Sequence, residues 1–79
     1  MLHSDLSPSG CTGVLVVATR GTGGPGEVLI KIRGGLETFL AWSDTTLPKG
    51  TTVLVVDSRG GRTVDVVPWV VPDQPSSPS

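Results

Sequence analysis

The stretch EVLIKIRGG at residues 27–35 carries the clearest structural signal in this chain of 79 residues. Val28, Ile30 and Ile32 share one face, while charged side chains and a leucine alternate with them, which is the period of a half-buried β-strand. The Gly34-Gly35 pair that follows tolerates positive φ angles and fits a tight primed hairpin turn. We therefore predict a strand over 27–33 that turns directly into an antiparallel neighbour.

Four further apolar runs surround this strand, separated by segments rich in Gly, Pro, Asp and Ser. They predict strands over 13–19, 36–43, 52–57 and 62–68. The run 36–43 also fits a short helix, but the preceding glycines and its aromatic and β-branched side chains favour a strand. Five short strands with glycine-rich turns predict an all-β fold, a small five-stranded antiparallel barrel, because closure leaves few exposed edges. An OB-fold and an SH3-like barrel both fit this strand count.

Side-chain alternation along these strands predicts a core that consists mainly of β-branched residues. The inward candidates are Val14, Val16, Val28, Ile30, Ile32, Leu40, Val53, Val55, Val64 and Val66. Outside the strands, residues 1–10 show no hydrophobic period, and residues 71–79 contain three Pro and three Ser, so both segments are predicted to be disordered. The folded domain is therefore predicted to span residues 11–70.

The composition of the chain excludes several classes of protein. Two Ala and two Glu are too few for a coiled coil or a helical bundle, and the single cysteine cannot form a disulfide framework. Six basic and seven acidic residues give a net charge of −1, which does not favour charge-driven binding of nucleic acid. The longest apolar run, 14–18, is far shorter than the roughly 18 residues of a transmembrane helix.

Reactive side chains are sparse, and each has a structural explanation. His3 lies in the N-terminal segment without the fixed partners that a catalytic triad or a zinc site needs. Cys11 precedes the first strand without a neighbouring base, and Ser43-Asp44 is expected to end a strand with an Asx turn rather than form half of a hydrolase site. The glycine-rich segment 21–26 lacks the Gly-Lys-Ser/Thr ending of a phosphate-binding loop. We therefore predict no catalytic residue, no cofactor and no metal site.

Aromatic residues are the main candidates for contacts with other molecules. Trp42 and Trp69 lie at strand ends, where each either closes the barrel or offers an exposed contact to a membrane surface or a partner protein. Trp69 is the better candidate because Val and Pro residues flank it. The predicted interaction surface comprises Trp42, Trp69, Val70 and Phe39. An alternative function, single-stranded nucleic-acid binding by an OB or cold-shock-like domain, would use a basic strip of Arg20, Lys31, Arg33, Arg59 and Arg62, but few aromatic residues accompany it.

The turn glycines and apolar runs also form an ordered pattern along most of the chain. The pattern runs through SGCTGVLVVATRG (9–21), PGEVLIKIRGG (25–35), FLAWSD (39–44), LPKG (47–50) and TTVLVVDSRGGRTVDVVP (51–68). In this order of elements the chain resembles the soluble C-terminal domain of NfeD-like membrane proteins. The likeness covers about three quarters of the sequence and consists of turn glycines and apolar alternation rather than reactive side chains.

The resemblance implies an OB-fold barrel that acts as a non-enzymatic protein-interaction module. NfeD-like proteins are associated with stomatin- and flotillin-like (SPFH) membrane scaffolds and with membrane-protein quality control. The implied partner is therefore a membrane scaffold or another membrane protein, and no nucleic acid or small-molecule substrate is expected. The implied location is at a membrane through the parent protein, with the soluble domain in the cytoplasm. The chain is then either an excised domain or a free-standing version, and its residues do not define an oligomeric state.

Overall fold

The computed structural model describes residues 8–69, which form five β-strands. These are β1 (Thr12–Val17), β2 (Gly26–Ile32), β3 (Gly35–Trp42), β4 (Thr52–Gly60) and β5 (Thr63–Pro68). A short 3-10 turn, Gly21–Gly23, lies between β1 and β2. The five predicted strands are confirmed, and the run 36–43 is a strand rather than a helix. The largest difference in boundary is in β4, which extends beyond the predicted end at residue 57.

The strands close into a barrel in the order β1-β2-β3-β5-β4, and β4 pairs back to β1. The predicted all-β barrel is confirmed, and its form fits an OB-like fold. Four of the pairings are antiparallel, but β3 and β5 run parallel over residues 40–42 and 63–65, which the prediction of an antiparallel barrel did not include. The parallel pair follows from chain direction. Because β2 is antiparallel to both β1 and β3, and β4 is antiparallel to β1, β4 runs opposite to β3. β5 returns from β4 through a hairpin and therefore points the same way as β3.

Two hairpin turns have two residues each, and both turns lie one position away from the glycine pairs. Ile32 pairs with Gly35, so the central residues of the first turn are Arg33 (φ 55) and Gly34 (φ 83) rather than the predicted Gly34-Gly35. The second turn has Gly61 and Arg62 at its centre, both with φ 60, since Gly60 pairs with Thr63. Two successive positive φ angles are typical of the type I′ turn, whose twist matches that of the flanking strands.

The barrel interior is filled by small and medium apolar side chains. The buried set is Leu15, Val28, Ile30, Ala41, Leu47, Val53, Val55, Val64 and Val66. Six of the ten inward candidates are confirmed by this set, and Ile32 packs against it while partly buried. The other three, Val14, Val16 and Leu40, were predicted wrongly, because all three side chains are exposed. In β1 the inward residue is Leu15, and in β3 it is Ala41, so both strands face the opposite way from the prediction.

Gly26, at the start of β2, is required by a close approach of the backbone. A Cβ atom at this position would collide with the carbonyl oxygens of Val17 and Ala18, which cannot move without shifting the end of β1. The β1–β2 pairing also shifts register between Leu15 and Val17, as in a β-bulge. The bulge and the glycine together let the chain bend sharply at this corner of the barrel.

Several of the sequence predictions lie outside the described residues. These are the disordered N-terminal segment up to residue 7, the disordered tail 71–79, and the placements of His3 and Val70.

Candidate functional site

A groove of about 640 Å³ opens where β3 ends at Trp42 while its parallel neighbour β5 continues to Pro68. We name it the Trp42 groove. Its lining residues are Thr22, Trp42, Ser43, Asp44, Thr45, Val56, Arg59, Asp65, Val66, Val67 and Pro68. The volume falls within the range of sites that bind small molecules or short peptide segments. The groove exists because the parallel pairing is short, so the end of β5 lacks a neighbour on that side.

One end of the groove is formed by Arg59, Asp65 and Trp42. The guanidinium of Arg59 donates from Nε to Oδ2 of Asp65 at 3.0 Å and from Nη2 to Oδ1 at 2.6 Å. The same guanidinium lies over the Trp42 ring, 5.7 Å from its centroid. The hydrogen bond to Asp65 raises the pKa of Arg59 above its ordinary value, and the negative charges of Asp65 and Asp57 add to this effect. Arg59 is therefore held as a cation by a two-point contact that fixes its orientation.

Carboxylates outnumber cations in and beside this groove. Asp57 on β4 pairs directly with Asp65 on β5, so the two carboxylates project from neighbouring positions. Asp44 lines the groove from the β3–β4 connection and is exposed. The three carboxylates in and beside the groove thus outnumber its single guanidinium, that of Arg59.

The wall formed by residues 43–45 is attached to the barrel by Thr19, which is fully buried. The Thr19 hydroxyl donates to the carbonyl oxygen of Thr45 at 2.8 Å and accepts from the N–H of Leu47 at 2.8 Å. The main-chain N–H of Thr19 also donates to the carbonyl oxygen of Leu47 at 2.9 Å. Three hydrogen bonds from one residue therefore position the loop that forms one side of the groove. Thr19 was not predicted from the sequence, because a lone Thr after an apolar run carries no distinctive pattern.

Ser43 contributes to the same loop through its hydroxyl. The N–H of Thr45 donates to Ser43 Oγ at 3.3 Å, which makes a turn closed by serine rather than the predicted Asx turn at Asp44. The predicted strand end is confirmed, since β3 finishes at Trp42. Cys11 lies in a different environment, half-buried against the core, and its carbonyl accepts from the N–H of Val55 at 2.8 Å. The two residues thus take part in separate local structures.

The predicted aromatic contacts have three different environments. Trp42 is half-buried and lines the groove, whereas Trp69 is 43% exposed. Phe39 is half-buried against the core, and the Arg62 guanidinium lies 5.7 Å from its ring centroid. Arg62 also forms an ion pair with Glu37 at 2.7 Å. Trp69 is therefore the most exposed of the three aromatic residues.

Trp69 continues a series of apolar side chains on the outer wall of the barrel. Val14 pairs with Leu29 on β2 and with Thr52 on β4, and the N–H of Trp69 donates to the Thr52 carbonyl at 2.9 Å. Leu36 and Leu54 occupy the next outward positions, diagonal to Leu29 and Val14. We name this series the outer apolar strip; it consists of Val14, Leu29, Leu36, Leu54 and Trp69. A shallow depression of about 300 Å³ lies along it, lined in part by Val14, Leu29 and Leu36.

The five basic residues of the alternative nucleic-acid site do not form a uniform strip. Arg59 and Arg62 are each engaged with a carboxylate, Asp65 and Glu37. Arg20 packs against Gly24 near the 3-10 turn, on the β1–β2 connection. The remaining two, Lys31 and Arg33, lie at the β2–β3 hairpin, and Lys31 is exposed. On the β2–β3 face, which OB-folds use for oligonucleotides, the outward residues from 27 to 40 are Glu27, Leu29, Lys31, Leu36, Thr38 and Leu40.

Within residues 8–69, no His, Cys, Asp and Glu side chains gather in a group of three or more that could hold a metal ion. Over the same described range, no helix has the length and apolar character needed to cross a lipid bilayer.

Closed topology, short parallel pairing and an apolar outer wall define the class of this protein as a small OB-like β-barrel domain. Comparison with known proteins specifies the class further. The sequence model of the NfeD C-terminal domain matches residues 12–67, which is more than half of the chain. The chain therefore belongs to the NfeD C-terminal domain family, as the resemblance in the sequence indicated. A search of curated proteins gives no match.

Two solved structures support the same assignment. The soluble domain of the NfeD protein YuaF from Bacillus subtilis is 36% identical with a TM-score of 0.62; the match covers 75% of this chain and 70% of that chain. The C-terminal domain of stomatin operon partner protein 1510-C from Pyrococcus horikoshii is 32% identical with a TM-score of 0.58. That match covers 81% of this chain and 91% of that chain.

Proposed function

We propose that this domain is a non-enzymatic interaction module that docks on a membrane scaffold protein of the stomatin (SPFH) type. The outer apolar strip is the observation that carries the proposal. Leu36 is 65% exposed, and Val14 and Trp69 are each 43% exposed, although they belong to three different strands or strand ends. Exposed apolar side chains scattered singly are ordinary. Neighbouring ones on adjacent strands form a surface whose burial by a partner lowers the free energy of the complex.

The family relation supplies the kind of partner. A structural relative from Pyrococcus horikoshii is described as a stomatin operon partner protein, and 91% of its domain aligns with this chain. We propose that the present domain contacts an SPFH scaffold and thereby takes part in scaffold organisation or membrane-protein quality control. In this arrangement the parent protein is at the membrane, and the barrel faces the cytoplasm.

Side-chain chemistry supports a binding role over a catalytic one. Ser43 uses its hydroxyl in a local turn, and Cys11 packs against the core. Arg59 and Asp65 neutralise each other in a two-point contact rather than standing as an acid and a base beside a nucleophile. The domain thus acts through its surface, by contact with another macromolecule.

The proposal is tested by titrating the domain with a purified stomatin-like SPFH protein while the two tryptophan indole N–H signals are followed by NMR. Trp69 lies on the strip and Trp42 lies in the groove, so each indole reports one surface. We expect the Trp69 signal to shift or broaden. Replacing Val14 and Leu36 together with Ser should weaken binding about tenfold, because two exposed apolar anchors are removed.

The matched control is Val56→Ser, which removes an exposed valine that lies outside the strip. It should leave the affinity for the SPFH protein unchanged. Absence of binding, or equal loss in the strip variant and the control, would contradict the proposal. Parallel titrations with lipid vesicles and with a labelled single-stranded oligonucleotide at low salt complete the test. Stronger binding to either than to the SPFH protein would favour a membrane contact or the nucleic-acid alternative instead.

A further inference from the structure

The Trp42 groove adjoins the outer apolar strip, because Val67 of the groove pairs with Leu54 of the strip, but none of its lining residues belongs to the strip. One side of the groove consists of Val56 and the end of β5, and the other consists of the loop 43–45. Thr19 holds that loop by hydrogen bonds to both Thr45 and Leu47, so the two walls are fixed relative to each other. A groove with fixed walls binds a ligand without the free-energy cost of ordering them first.

The charge of the groove selects a cationic ligand. Arg59 is the one cation among the described residues that line it, and both Asp65 oxygens are engaged with its guanidinium. An anionic ligand would have to compete with Asp65 for Arg59, beside two further carboxylates. A cationic ligand meets the carboxylates of Asp44 and Asp57, neither of which forms an ion pair with Arg59.

The walls of the groove select a ligand that also carries an apolar group. Val56 is 51% exposed and Val67 is 40% exposed, and Pro68 is exposed beside them. Trp42 closes the end of this apolar surface, and its ring already stabilises one cation, the guanidinium of Arg59. Apolar walls beside carboxylates fit a side chain such as Leu or Val that is flanked by Lys or Arg.

Recognition in this groove takes place through side chains rather than strand addition. Pro68 has no N–H, so this end of β5 lacks one of the donors that an added strand would need. The groove is partly open to solvent, which leaves room for an extended chain along it. These features suit an extended peptide segment whose alternate side chains contact the walls and the carboxylates.

We propose that the Trp42 groove is a second binding site, which takes a short extended segment of a protein partner that carries an apolar residue flanked by Lys or Arg. No residue that lines this site belongs to the strip, and the segment belongs to a protein other than the SPFH scaffold. The carboxylates of Asp44 and Asp57 bind its cations, and Val56, Val67 and Trp42 contact its apolar residue.

The test begins with selection of short random-sequence peptides on the immobilised domain. We expect the selected peptides to be enriched in Lys or Arg next to an aliphatic residue. Each selected peptide is then titrated against the labelled domain by NMR. The Trp42 indole signal should move and the Trp69 signal should remain in place.

Charge variants test the carboxylates directly. Asp44→Asn and Asp57→Asn should each weaken binding about two- to fivefold and reduce its salt dependence. Both residues are exposed, and the amide that replaces the Asp57 carboxylate keeps an oxygen to accept the hydrogen bond from Ser58 N–H, so the barrel should remain folded. The matched control is Glu27→Gln, which neutralises a carboxylate outside the groove and should leave binding unchanged.

An apolar variant completes the set. Val56→Ser should weaken peptide binding, while the strip variant with Val14 and Leu36 replaced by Ser should not. The proposal is overturned if the selected peptides show no excess of basic residues. It is equally overturned if they move the Trp69 signal instead, or if Glu27→Gln weakens binding as much as Asp44→Asn does. The strip variant should weaken only SPFH binding, and Val56→Ser should weaken only peptide binding. Failure of one proposal is therefore distinguishable from failure of the other.

Discussion

The buried hydroxyl of Thr19 offers the sharpest test of how the barrel positions its groove. Thr19→Val keeps the shape of the side chain but removes the oxygen that bridges Thr45 and Leu47. The carbonyl of Thr45 and the N–H of Leu47 then lose a partner, although the main-chain bond between Thr19 and Leu47 remains. Each buried polar group left unpaired costs about 1–3 kcal/mol. Since the hydrogen bond to the Thr45 carbonyl is only partly buried, the expected loss of unfolding free energy is about 2–3 kcal/mol.

This loss is large for a domain of this size. About 60 ordered residues give a total stability of roughly 3–9 kcal/mol, so the variant should fold with a midpoint lowered by roughly 10–20 °C. Chemical denaturation followed by tryptophan fluorescence measures the change. Amide exchange at Leu47 should accelerate about 30-fold or more, because the loop opens without full unfolding.

Thr19→Ser is the matched control, since it keeps the hydroxyl and removes one methyl group. It should cost only about 1 kcal/mol. If Thr19→Val unfolds at the same denaturant concentration as the wild-type domain, the hydroxyl does not anchor the loop. If serine destabilises the domain as much as valine does, packing of the methyl group rather than hydrogen bonding accounts for the burial of Thr19.

Three further predictions address the strands and turns. Leu15→Ala should cost about 2–5 kcal/mol, whereas Val16→Ala should cost less than about 1 kcal/mol; a larger loss for Val16→Ala than for Leu15→Ala in denaturation would mean that β1 faces the other way. Gly26→Ala should strongly lower the melting temperature because its Cβ would collide with the backbone of Val17 and Ala18. The control Val16→Ala, which changes an exposed residue of β1 and keeps Gly26, should not. Arg33→Asn should raise stability by about 0.5–1 kcal/mol, measured by thermal unfolding, because asparagine adopts a positive φ more readily than arginine.

Strand positions were predictable because each depends on local sequence. Glu27 to Arg33 alternates clearly between apolar and polar residues, and β2 has the predicted inward face, with Val28 and Ile30 fully buried. In β1 the residues 14–18 are all apolar, so the sequence contains no alternation from which the inward face could be chosen. The choice of Leu15 over its neighbours depends on the pairing with β2 and β4 and on the bulge that follows.

The candidate sites were predictable only in part. Trp42 and Trp69 were predicted as contact residues because large aromatic side chains are informative wherever they occur, and their contact role stays a prediction. The surroundings of Trp42 were not predictable, since Asp65 and Arg59 meet it only through the pairing of β3 with β5 and the side chains that project from β4. Leu29 and Leu36 were read as parts of separate strands, and they join in one surface only when the strands lie side by side.

Local alternation and composition were enough to predict five short strands with glycine turns and almost no net charge, and the order of the turn glycines and apolar runs resembles that of NfeD-like domains. The tertiary structure decided which face of β1 and β3 points inward, that β5 lies parallel to β3, and that Thr19 holds the loop beside Trp42. Those features depend on contacts between residues far apart in the chain. Such contacts form only when the barrel closes, so local sequence does not show which residues will meet.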